Sequence, residues 1–213
     1  MYNRCIKRII DIIFALILMP VILPIILICG LFIKLEDRGP IFYLGKRLGK
    51  DQKIFEMYKL RSMKVNAPDL RNEDGSTFNS DDDPRLTKIG KFIRKTSLDE
   101  LPQIINVLFG DMSFIGPRPD LPEHINYYDG YEVRKLEVLP GISGYNQAYY
   151  RNSAKWKERL KNDVYYVDHM SLWLDIKILF KTVESILFKK GIYVTSQTTD
   201  DEGEDKYEQI NKA

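Results

Sequence analysis

Cysteine and histidine are almost missing from this 213-residue chain, which has two of each: Cys5, Cys29, His124 and His169. One cysteine stands near the N-terminus and the other inside an apolar run, with no C-x-x-C, so a disulfide framework is excluded. Neither histidine has an H-E-x-x-H spacing or a cysteine partner, so a zinc centre and a histidine-based triad lack support and packing or surface roles are expected. An excess of one charge is missing too. Lys plus Arg number 32 and Asp plus Glu 30, a formal net charge of +2, which argues against a general nucleic-acid binder. The chain has no internal repeat and neither phosphate-loop pattern, G-x-G-x-x-G or G-x-x-x-x-G-K.

Apolar residues are concentrated in one place. From Ile9 to Ile33 the sequence carries a single charge, Asp11, and a helix of that length reaches across the roughly 30 Å hydrocarbon core of a bilayer. It is too long for a signal-peptide h-region and lacks a small-residue cleavage site. Pro20 and Pro24 lie in its middle, where each removes an amide donor and crowds the preceding turn, so a bend is expected. Arg4, Lys7 and Arg8 precede the run, and Lys34, Arg38, Lys46, Arg47, Lys50 and Lys53 follow it. The positive-inside rule places both flanks on the cytoplasmic side, which favours a re-entrant helix over a spanning one with a proline kink. Asp11 stands within helical reach of Lys7 and Arg8, so pairing near the headgroups is expected.

The remainder reads as one domain. Two apolar stretches around Gly45, Gly49 and Lys50-Asp51 predict a short hairpin, and Lys59 in M-Y-K-L-R-S-M is either a snorkelling lysine or a phosphate ligand. Residues 66–84 are loop-like, and the acids Asp81, Asp82 and Asp83 suit solvent better than a metal. From Leu86 to Thr96 a basic amphipathic helix is expected, able to lie on a membrane or on a core. Arg118, between Pro117 and Pro119, is either a surface-turn ion pair or a pre-organised fork for phosphate. Residues 155–190 predict two helices meeting near His169, the second with an apolar face that suits a core or a membrane interface. From Thr195 the polar, acidic composition predicts a disordered tail.

The octet T-S-L-D-E-L-P-Q, residues 96–103, carries the candidate chemistry. Ser97 and Glu100 have capping-box spacing, and Leu101, Ile104, Ile105 and Leu108 form the stripe of a helix ending at Gly110. Asp99 and Glu100 are therefore either dipole partners at a helix start or a reactive pair beside an anion-binding end.

Taken together the blocks K-R-I-I-D, I-F-E-M-Y-K-L-R-S-M, D-P-R-L-T-K-I-G, S-L-D-E-L-P-Q…G-D-M-S-F-I-G-P-R-P, L-P-G-I-S-G and D-V-Y-Y-V resemble the bacterial sugar transferases, the small monotopic phosphoglycosyl transferases that begin glycan assembly. The resemblance covers residues 4 to about 190. It implies a mainly α monotopic membrane protein with a short β-hairpin and amphipathic interfacial helices. Residues 1–36 would form a proline-broken re-entrant helix, 37–194 a cytoplasmic catalytic domain and 195–213 the tail. It implies transfer of a phosphosugar from a UDP-sugar to undecaprenyl phosphate in two steps, at the cytoplasmic leaflet of the bacterial inner membrane. The product would pass to downstream glycosyltransferases. Asp99 would be the nucleophile, and Glu100, with Asp99, would hold Mg²⁺. Lys59, Arg94, Arg118, Arg151 and Asp163 match family positions around the substrate. The chain departs from the family at G-Y-N-Q-A-Y-Y-R-N, where a glycine-alanine-glutamine stretch is usual, at Leu23, where a serine is common before Pro24, and in the additional Pro20.

Overall fold

The structure, a computed structural model, describes residues 4–68, 70, 83–150 and 154–187. The tail, Arg151, Asp81 and Asp82 lie outside the described residues. Helix α1 (Arg4–Asp37) leads into an antiparallel hairpin of β1 (Phe42–Leu48) and β2 (Ile54–Leu60). Then come α2 (Lys88–Lys95), a 3-10 turn (Leu98–Glu100), α3 (Gln103–Phe109) and β3 (Ser113–Ile115). Two further 3-10 segments, Pro122–Tyr127 and Glu132–Glu137, precede β4 (Gly141–Ser143), and α4 (Tyr145–Tyr149), α5 (Trp156–His169) and α6 (Leu172–Leu187) complete the fold. The mainly α class with one hairpin is as expected. The short parallel pairing of β3 with β4 was not legible in the sequence.

Helix α1 contributes to the core along its length. Ala15, Ile26, Cys29 and Ile33 are buried, spaced so that they return to one helical face. Ala15, with Leu18, Met19 and Ile22, packs against Met57, Ile104, Val107 and Met112; Ile26, Cys29 and Ile33 pack with Leu60 and Ile93. The opposite face, including Ile13, Leu16, Ile17, Val21, Leu27, Ile28 and Leu31, is exposed. The helix is apolar and long enough to cross a membrane. Pro20 and Pro24 sit on that exposed face inside an uninterrupted helix.

Both ends of α1 are tied to the same domain. Lys7 Nζ is 2.5 Å from Asp175 Oδ2, and Tyr166 donates to the other carboxylate oxygen at 2.7 Å. Arg8 donates to the carbonyls of Val107 and Leu108 in the last turn of α3, where helical carbonyls run out of partners along the chain. Asp11 accepts from the Phe114 backbone N–H at 3.2 Å. The charge of Lys7 acts on Asp11, as expected, and beyond that expectation these charged groups dock onto the domain, because buried backbone donors and acceptors there need partners. At the far end Asp37 accepts from the Arg61 guanidinium, and Glu36 accepts from the Lys88 and Ile89 N–H groups at 2.7 and 3.0 Å. Those N–H groups open α2, whose N-cap is Thr87.

The predicted α3 stripe is corrected in part. Ile104 and Val107 are buried, but so are Gln103 and Asn106, since the helix is wedged between α1 and the hairpin. Asn106 is fully buried and satisfied: its Oδ1 accepts from Tyr58 N at 2.9 Å, and its Nδ2 donates to Glu56 O at 2.7 Å. The amide thus completes the backbone pairing of β2 and fixes the hairpin against α3. Gly110, with φ of 93°, ends the helix in the left-handed conformation, as expected.

Candidate active site

Asp99 and Glu100 occupy the 3-10 turn between α2 and α3. The residue before the turn, Ser97, is left-handed, with φ 57° and ψ 18°, which costs a non-glycine residue on the order of 1–2 kcal/mol. The expected capping box does not form, because left-handed backbone does not present the Ser97 hydroxyl to the following amides and its side chain caps nothing. Glu100 turns elsewhere: its Oε1 lies 2.8 Å from Lys59 Nζ.

Lys59 stands on β2, the strand that Asn106 fixes in place, so the ion pair joins the hairpin to the start of α3. Arg118 Nη2 approaches the same Glu100 oxygen at 4.0 Å. Burial opposes ionisation of Glu100, but Lys59, Arg118 and Arg47 together outweigh it and hold its pKa down to about 2. Asp99 has the opposite balance. It is 8% exposed, and burial, with Glu100 adding repulsion, pushes its pKa up to about 6 against the attraction of Lys59 and Arg94. Two adjacent carboxylates are thus set apart by about four pH units through environment alone.

The loop carrying Arg118 is held by β3 and β4. Gly116 N donates to Ser143 O and Gly141 N to Pro117 O, both at 2.9 Å. A Cβ on Gly141 would stand 2.1 Å from Gly116 N, and one on Gly144 would stand 2.1 Å from Gly116 O. The glycines of L-P-G-I-S-G are therefore required by close backbone approach, and they position Arg118 from behind.

A cavity of about 180 Å³ opens beside Glu100, with Lys59, Arg118, Arg47, Gln103, Asp120 and His124 among its lining residues. Asp99 lies immediately behind Glu100 and is not part of that lining. Arg94 is 4.0 Å from Asp83 Oδ2 and exerts its charge on Asp99. Asp83 itself is neither solvated nor set for a metal: it is buried in a fork with Arg85, Oδ2 to Nη2 at 2.7 Å. The expectation of a solvated acidic run is corrected there, since a paired guanidinium makes burial tolerable. Asp163, on α5, is buried behind the cavity wall. Lys135 Nζ lies 2.6 Å from Asp163 Oδ2 and 2.7 Å from Asp120 Oδ2, so Asp163 is joined to the cavity wall through Lys135 and Asp120.

The structure therefore brings Lys59, Glu100 and Arg118 to one cavity, with Asp99 and Arg94 next to it. The sequence did not single out Arg47, Gln103, Asp120 or Lys135. A usable signal existed for Arg47 alone: in the hairpin it has the same strand parity as Lys59.

Among the described residues no group of three or more His, Cys, Asp or Glu side chains is arranged for a metal. Magnesium commonly takes only one or two carboxylates when substrate phosphates supply further oxygens, and Glu100, ionised and lining the cavity, is a carboxylate that suits such a donor set.

Residues 2–189 match the bacterial sugar transferase family, and the chain belongs to it. An uncharacterized sugar transferase of Bacillus subtilis, EpsL, is 40% identical over 193 residues, which is 91% of this chain and 93% of that protein. The UDP-N-acetylgalactosamine-undecaprenyl-phosphate N-acetylgalactosaminephosphotransferase of Aeromonas hydrophila is 42% identical over 189 residues, 85% of this chain and 44% of that protein. The UDP-glucose:undecaprenyl-phosphate glucose-1-phosphate transferase of Escherichia coli is 40% identical over 200 residues, 90% of this chain and 42% of that protein. The chain spans less than half the length of these last two relatives.

Proposed function

We propose that the protein transfers a phosphosugar from a UDP-sugar to undecaprenyl phosphate, giving undecaprenyl diphosphate sugar and UMP. The observation that carries this is the pairing of Asp99, a recessed carboxylate with a pKa of about 6, with the cation-lined cavity beside it. At pH 7 such a group is mostly ionised yet more basic than a solvent-exposed aspartate, which suits a nucleophile. The relatives' names supply the substrate class.

Asp99 attacks the sugar-bearing phosphorus, the bond from that phosphorus to the bridging oxygen breaks, and UMP leaves with the electron pair. The phosphosugar remains on Asp99 as an acyl phosphate. A phosphate oxygen of undecaprenyl phosphate then attacks the same phosphorus, and the aspartyl carboxylate is regenerated. Lys59 and Arg118 offset the repulsion between anionic nucleophile and diphosphate, and Arg94 is a further cation for the phosphates. Asp163 acts through Lys135, holding the wall of the cavity. Asp99 and Glu100 would hold Mg²⁺, which when bound supplies charge neutralisation on the diphosphate. The cavity is smaller than the roughly 300–1,000 Å³ that encloses a drug-sized ligand, so it suits the phosphates, with nucleoside and sugar extending outward.

The anchor is re-entrant in this reading, with the domain on the cytoplasmic leaflet. Both ends of α1 bond to one domain, so both belong on one side of a bilayer. Pro20 and Pro24 both face outward, and a proline ring bends a helix away from its own side, which supports ends directed back toward the domain.

Purified protein with Mg²⁺, undecaprenyl phosphate and a panel of UDP-sugars is expected to release UMP, and Asp99→Asn to release none. A radiolabelled sugar should be trapped on Asp99 when the lipid is withheld. Turnover without such trapping would favour single-step transfer with Asp99 as base, and no UMP from any UDP-sugar would favour a membrane scaffold. Labelling of Tyr2→Cys and Lys53→Cys from opposite sides would rule out the re-entrant anchor.

A further inference from the structure

Antiparallel pairing fixes which hairpin side chains share a face. Tyr43 stands opposite Lys59, Gly45 opposite Met57 and Arg47 opposite Phe55, and directly opposed residues project to the same side. Arg47, Met57 and Lys59 accordingly all line the cavity. Four residues of strand separate the backbone positions of Arg47 and Lys59 by roughly 13 Å, too far for an Arg47 pointing straight out to share a small ligand with Lys59. Gly45 closes that distance. Arg47 Nη1 lies 3.5 Å from the place a Cβ on Gly45 would occupy and the Tyr43 ring 3.0 Å from it, so the guanidinium folds back along the strand over Gly45, beside Tyr43 and toward the Lys59 end.

Arg47 has little else to hold. Its hydrogen bond among the described residues goes to the neighbouring Lys46 carbonyl at 2.8 Å, and no described carboxylate forms an ion pair with it. Of the nearby acids, Glu100 is engaged by Lys59 and Asp120 by Lys135, and Glu123 attracts Arg47 without forming an ion pair with it. Arg47, Lys59 and Arg118 line the cavity against Glu100 and Asp120, so two guanidiniums face it with positive charge in surplus. Such a surplus calls for an anion with more than one charge.

Position along the cavity decides which anion. Asp99 lies outside the cavity lining, whereas Arg47 and Arg118 both line it. In phosphoryl transfer the nucleophile and leaving group lie roughly in line across the attacked phosphorus. A leaving phosphate opposite Asp99 therefore falls on the side of the two arginines. We propose that Arg47, folded over Gly45, grips the departing nucleotide phosphate; this rests on the phosphosugar transfer described above.

The test is binding of UMP and of uridine to the full chain in detergent, by calorimetry, for wild type, Arg47→Gln and Arg47→Lys. Arg47→Gln is expected to weaken UMP by about tenfold or more, the scale of a lost charge-assisted hydrogen bond, with uridine affinity unchanged. Arg47→Lys, which keeps the charge and loses the fork, recovers part of the loss and serves alone if the glutamine variant does not fold. Product inhibition by UMP weakens in parallel. Unchanged UMP binding, or UMP and uridine weakened by the same factor, would overturn the assignment. A wild type that binds UMP but releases none from any UDP-sugar would instead defeat the transfer reaction, leaving the binding comparison to judge Arg47.

Discussion

Two lysines in this molecule each face a pair of carboxylates, and they are used differently. Lys135 is 3% exposed and bridges Asp120 and Asp163 at 2.7 and 2.6 Å, with the Tyr128 hydroxyl donating to Asp120 at 2.5 Å. Lys59 is less buried and makes one short contact, to Glu100, although Asp99 is the next residue. Sharing a buried lysine holds Asp120 well below the usual carboxylate range, while burial still pushes Asp163 up and its Oδ1 has no hydrogen-bond partner among the described residues. Giving the lysine to one acid leaves the neighbour desolvated and basic. The first arrangement holds two chain segments together; the second leaves a carboxylate with free energy available for reaction.

The comparison breaks most visibly at Asp99. Asp99→Asn is expected to lower kcat by about 10³-fold or more while making the protein more stable at neutral pH. Its pKa is raised from 3.8 to about 6, so the native state binds more protons than the unfolded chain between those values, and stability falls as pH rises through that window. Removing the charge recovers on the order of 2–3 kcal/mol at pH 7, read by urea denaturation. Lys135→Met should do the reverse, leaving two buried acids uncompensated at a cost of about 3–5 kcal/mol. Adding Asp120→Asn and Asp163→Asn to it should restore most of that stability.

Smaller effects sharpen the contrast. The wild-type rate should fall below pH of about 6 as Asp99 gains a proton. In Lys59→Met that acid limb should move to higher pH, since Lys59 is the largest influence lowering the Asp99 pKa. An unmoved limb would show that Asp99 does not set it. Ser97→Gly relieves a left-handed residue before the turn and should raise stability by about 1 kcal/mol or less, measured by thermal unfolding.

Much of this contrast was legible in the sequence and some was not. Asp99, Glu100, Lys59 and Arg118 could be picked out because their types and neighbours suit phosphate chemistry, and helix and hairpin periodicities located the elements carrying them. Ser97 misled, because a serine three residues before a glutamate has capping-box spacing whatever its φ, and the left-handed backbone that prevents the box is imposed by packing. Lys135 was invisible, since a lysine in R-K-L-E looks like any solvated basic residue until two distant acids close on it. The same holds for the contacts of Asp11 with Phe114 and of Lys7 with Asp175, which lie beyond residue 100. Long-range pairing has no local periodicity to reveal it.

Because the inner stripe of α1 forms part of both clusters that seat the hairpin and α3, the anchor is also a wall of the enzyme. Cutting the chain after residue 36 would strip partners from Met57, Leu60, Ile93 and Ile104, each worth about 1.5–3 kcal/mol when fully buried, on a total stability usually near 5–15 kcal/mol. No water-soluble catalytic fragment should be obtainable by truncation. The height of Asp99 above the lipid is then set by rigid packing rather than by the reach of a tether.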